Sequence, residues 1–125
     1  MIFFSFGNRA FNKEYAESNI YMVVAQKDRY TDPIDFLNKA VSFIDEKVYP
    51  GEDFKADYEG MYLKDGEYRD IVEHWILSMD KSVEIKMDDI LNIRRIKCDS
   101  SDPYRDEYVL ETKDEYIMFL WSTTA

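Results

Sequence analysis

The sequence predicts an α+β domain, a mostly antiparallel β-meander sheet with one main helix (about residues 33–48) packed on one face. Three observations lead there. A capped apolar stripe of helical period occupies Pro33–Val48. Short apolar runs follow it to the end of the chain. Turn signals recur between those runs at Lys64-Asp65-Gly66, Asp80-Lys81-Ser82 and Thr112–Asp114.

Met1–Phe6 reads as a short buried strand, broken by Gly7-Asn8. Phe11–Asn19 fits no single pattern, and Ile20–Gln26 is apolar, partly β-branched and strand-like. In the helix, Asp32 is the N-cap and Pro33 takes the first helical position. Asp35 sits in the first turn, where a carboxylate opposes the positive helix end. Ile34, Leu37, Val41, Ile44 and Val48 share one face, widened by Phe36, Ala40 and Phe43, and Pro50-Gly51 stops the helix.

Phe54–Leu63 then reads as a tyrosine-rich strand, turning at Lys64-Asp65-Gly66 into a return strand over Tyr68–Met79. A helix competes for Arg69–Met79, because Ile71, Val72, Trp75, Ile76 and Met79 also match a helical face; the Asp-Gly turn favours the strand. Val83, Ile85 and Met87 alternate with polar residues as a half-buried strand should. Asp88-Asp89 interrupts, and Ile90–Lys97 resumes as a bent strand. Asp99–Pro103 is a loop. Glu107–Glu111 and Glu115–Trp121 form a final hairpin, and Ile117–Trp121, apolar on both faces, belongs in the centre of the sheet.

A chain of 125 residues is expected to make a single domain, 1–125. Aromatic residues make up 16% of it, which argues for a packed core rather than disorder. Cys98 is the only cysteine, so no disulfide forms within the chain, in keeping with a reducing compartment. The apolar start lacks the basic flank of a signal peptide, and no run approaches the roughly 20 apolar residues that span a bilayer. A cytoplasmic protein with no membrane attachment is expected.

Charge is the most informative feature for function. Residues 52–73 hold eight acids and three bases, and residues 99–115 hold seven acids and two bases. Each window is therefore net −5, which accounts for the −10 of the whole chain. Both windows carry tyrosines, the aromatic type favoured where proteins meet. Such a surface suits a basic protein partner and repels phosphate backbones and anionic membranes, so no nucleic-acid partner is expected. The candidate contact residues are Asp53, Asp57, Tyr58, Glu59, Tyr62, Glu67 and Asp70 in the first window. Asp99, Asp102, Tyr104, Asp106 and Glu107 complete the set in the second. An acidic surface serving only solubility is the competing explanation.

Catalytic motifs are lacking. His74, the only histidine, sits beside Trp75 in an apolar run and reads as a half-buried, hydrogen-bonded strand residue. One Cys and one His cannot build a four-ligand zinc site. Asp99-Ser100-Ser101-Asp102 opens like a calcium loop, but the glycine and the twelfth-position Glu are missing. The four glycines are scattered, with no phosphate loop. Arg94, Arg95 and Lys97 form the one basic cluster, which reads as a solvated strand face or as internal partners of the acidic windows. Neither an enzyme nor a cofactor is expected.

The stretch from Ser82 to Ile93, followed by the hairpin Tyr108–Trp121, resembles small bacterial immunity proteins of polymorphic toxin and contact-dependent growth inhibition systems. The likeness in size, acidity and single-domain form covers the whole chain and carries no shared motif. It implies a cytoplasmic inhibitor that binds a cognate toxin domain, often a basic nuclease. The alternatives are an acidic nucleic-acid mimic directed at a DNA-binding protein, and a small metal-dependent enzyme using clustered carboxylates.

Overall fold

The computed structural model describes residues 1–7, 18–47, 54–78, 85–98 and 105–123. Six strands form one antiparallel sheet: β1 (Ile2–Gly7), β2 (Ser18–Gln26), β3 (Tyr62–Lys64), β4 (Asn92–Lys97), β5 (Arg105–Glu111) and β6 (Glu115–Thr123). Their order across the sheet is β1-β2-β6-β5-β4-β3. The meander β3 to β6 thus closes onto the β1–β2 pair, with β6 in the middle. Two helices, α1 (Pro33–Lys47) and α2 (Arg69–Ser78), complete the described fold.

The α+β class and the α1 helix are as the sequence predicts. Asp32 caps α1 through its Oδ1, which accepts the Asp35 N–H at 2.8 Å. Asp35 reciprocates by accepting the Thr31 N–H at 3.0 Å. That bond, with Lys39 beside it at 3.2 Å, holds the Asp35 carboxyl below the usual carboxylate range.

The side-chain alternation of β6 sorts the core onto two faces. Tyr116, Met118 and Leu120 join Val23, Val109 and Ile96 beneath Phe36, Leu37, Ala40, Val41 and Ile44 of α1. Ile117, Phe119 and Trp121 turn the other way, with Ile20, Met22, Tyr108 and Leu110, and meet Val72 and Trp75 of α2. The Trp75 and Trp121 rings stack at 5.0 Å. β6 is buried on both faces, as its unbroken apolar run requires.

Three expected strands differ. Residues 69–78 are a helix, not a return strand. A strand would have put Glu73 on the same face as Trp75. The helix instead gathers Val72, Trp75 and Ile76 against the sheet and leaves Asp70 and His74 outside. Its first backbone bond runs from Val72 N–H to Tyr68 O at 3.1 Å, so Lys64–Gly66 joins a strand to a helix rather than two strands. Phe54–Tyr58 is a 3₁₀ turn, and β3 keeps only Tyr62–Lys64. Gly60, with φ 69°, follows that turn in a backbone region that favours glycine. Met87–Asp89 is also a 3₁₀ turn, closed by Ile90 N–H to Met87 O at 3.1 Å.

β1 is a sheet edge rather than a buried strand, and Ile2 is 59% exposed. Among the described residues, no helix is long and apolar enough to cross a membrane. The expectations at 8–17, Val48, Pro50-Gly51, Asp80–Ser82, Val83 and Asp99–Pro103 lie outside the described residues.

Candidate functional site

The two acidic windows meet. The 3₁₀ turn Phe54–Tyr58 of the first lies against the start of β5 from the second, and on the opposite face the Tyr68 and Tyr108 rings pack at 5.5 Å. β4 runs between the windows and carries the basic cluster. Its arginines pair in both directions: Arg94 with Asp65 at 3.3 Å and Arg95 with Asp106 at 2.6 Å. For the two arginines of this cluster, internal pairing is the reading realised.

At the first junction, the Tyr58 hydroxyl donates to Glu107 Oε1 at 2.5 Å. Arg105 reaches Glu107 at 3.0 Å and Asp57 at 3.4 Å, and its guanidinium lies over the Tyr58 ring, 5.4 Å from the centroid. Tyr58 is 5% exposed and Glu107 is 6% exposed. Burial pushes the Glu107 carboxyl up, opposed by Arg105 and by the Tyr58 bond; burial likewise pushes the Tyr58 hydroxyl well above its ordinary value. Both were candidate contact residues. They lie inside the fold, where they join the first window to the sheet, and do not form an exposed surface. Asp106, half-buried and held by Arg95, is similarly committed.

Glu59, Tyr62, Glu67 and Asp70 are exposed, Tyr62 to 55%. Among the described residues, Glu59, Glu67 and Asp70 form no ion pair, in contrast to Asp57, Asp65 and Asp106. They do not share one site. Glu59 lines a groove of about 400 Å³ beside Asn38 and Val41 of α1. Glu67 and Asp70 line another, of about 420 Å³, beside Leu91, Asn92 and Ile93. Asp53, Asp99, Asp102 and Tyr104 lie outside the described residues.

The second groove contains a residue the sequence reading passed over. Leu91 is 66% exposed, the most of any large apolar side chain described. Its backbone is fixed: its N–H donates to Glu111 O at 2.8 Å, while neighbouring Ile90 is buried. The signal was the pair Ile90-Leu91, since two adjacent apolar residues in extended chain cannot face the same core. A third groove, about 480 Å³, gathers Asp88, Asp89, Asp114 and Glu115, and this grouping was also missed because it joins two distant turns. Among the described residues, no three His, Cys, Asp or Glu side chains are grouped so as to hold a metal ion. His74 is exposed on α2, with its ring 5.3 Å from that of Trp75, rather than half-buried on a strand.

Comparison with protein-family models, with curated proteins and with solved structures finds no match.

Proposed function

We propose that this protein is a cytoplasmic, non-catalytic immunity protein that binds a basic toxin domain, such as a nuclease, and blocks its working surface. The observation that carries the reading is the division of the acids. Asp57, Asp65, Asp106 and Glu107 each pair with an arginine of the chain, while Glu59, Glu67 and Asp70 stay exposed without one among the described residues. Carboxylates so placed are available to the Lys and Arg side chains with which a nuclease grips phosphate. Complementary charge of this kind accelerates encounter and weakens with salt. The exposed Tyr62 adds an aromatic contact on the same window.

Capture from native lysate with the tagged full chain, at low and high salt, followed by co-expression with the captured domain, tests the proposal. The expected result is a basic domain whose retention falls with salt and whose toxicity the protein suppresses. Retention without suppression of toxicity, or no basic domain at all, overturns it.

A further inference from the structure

The groove between the first turn of α2 and Leu91 has two unlike walls. One carries the exposed carboxylates of Glu67 and Asp70, and the other carries the exposed isobutyl group of Leu91, with half-buried Tyr68 between them. Its geometry is set in advance. Arg69 donates to Met87 O at 2.9 Å and to Ile90 O at 2.7 Å, tying the helix start to the turn that presents Leu91. The one cation in the wall is thus occupied by carbonyls rather than by the neighbouring carboxylates. Gly66 completes the fit, because a Cβ there would lie 2.7 Å from the Tyr68 ring. An acidic rim, an apolar wall and fixed backbone together match an amphipathic cation: an arginine or lysine whose alkyl stem lies on Leu91 and whose charged head reaches the carboxylates.

The geometry points to this groove as the socket for a basic side chain of the protein partner, flanked in that partner by an apolar residue. This identification of the occupant rests on the proposed binding of a basic toxin domain. The socket itself can be tested without the toxin.

The probe is an acetylated, amidated peptide alternating arginine and leucine, titrated into the nitrogen-labelled full chain and followed by NMR. Amide shifts concentrated at 66–70 and 91–93 are expected. The E67Q/D70N variant is expected to weaken binding by about tenfold, the combined effect of two exposed charge contacts. Leu91→Ser, and separately a peptide with glycine in place of leucine, are expected to weaken it by about threefold, the loss of part of one apolar contact. Shifts centred on the Asp88–Glu115 groove or on Glu59, or affinity indifferent to all of these changes, overturn the socket. A captured toxin domain that is suppressed equally by wild type and E67Q/D70N overturns the socket and leaves the immunity reading standing. Peptide binding at the groove without any suppressed toxin does the reverse.

Discussion

Two stretches of this chain carry the same net charge, −5, and the fold uses them differently. At the start of β5, Asp106 and Glu107 meet Arg95 and Arg105 and are drawn into the sheet. At the start of α2, Glu67 and Asp70 project into solvent, and the nearby Arg69 is turned away to backbone carbonyls. Net charge therefore says little about which acids are available. Availability is decided by whether the fold brings an arginine alongside: Arg95 of β4 meets Asp106 and Arg105 of β5 meets Glu107, while Arg94 of β4 reaches Asp65 and leaves Glu67 and Asp70 without one among the described residues.

The largest effect is expected from removing the cation that holds the buried set. Arg105→Met leaves Glu107 with no cation at its 3.0 Å contact, in a site only 6% exposed. A loss of about 3 kcal/mol in urea unfolding is expected, because one partner of a buried pair is left uncompensated. Tyr58→Phe removes only the hydroxyl that Glu107 accepts, and about 1–3 kcal/mol is expected by the same measurement.

The pH dependence sharpens the contrast further. The Glu107 pKa is raised above 4.5 in the folded protein, so the fold binds that proton more tightly than the unfolded chain does. The associated stability is present below pH 4.5 and is lost as pH rises through the folded value. Stability of wild type relative to Glu107→Gln should therefore fall as pH rises from 4.5 through the folded value. Asp35 works in the opposite sense: its pKa is lowered from 3.8, so its contribution holds above that pH and fades below it. Asp35→Asn should flatten the acid limb of the stability curve and leave the neutral region unsloped. The smallest stability effect belongs to the exposed set, where E67Q/D70N should stay within about 0.5 kcal/mol of wild type.

Much of this was legible in the sequence, and the exceptions share a cause. Helix α1 announces itself through Asp32, Pro33 and a continuous apolar face, all local signals. β6 does so through an apolar run too dense for a one-faced strand. The α2 segment misleads because Asp65-Gly66 is a good hairpin turn, while the choice of helix depends on Val72, Trp75 and Ile76 having a sheet face to cover. That face is built largely from residues some 20 to 50 positions further along. The site candidates divide on the same line. Exposure of Glu67 and Asp70 follows from their local polarity. Burial of Tyr58 and Glu107 depends on a contact across 49 positions, to which no local pattern points.

The central claim is that the exposed acids without an arginine, Glu67 and Asp70, serve a partner and the buried paired Glu107 serves the fold. The most direct test measures two quantities on the same two variants: dissociation constant for the captured basic domain, by calorimetry, and unfolding free energy. E67Q/D70N is predicted to weaken binding about tenfold with stability unchanged, and Tyr58→Phe to lower stability with binding nearly unchanged. Undiminished affinity in E67Q/D70N, or a larger loss of affinity in Tyr58→Phe, would contradict the account.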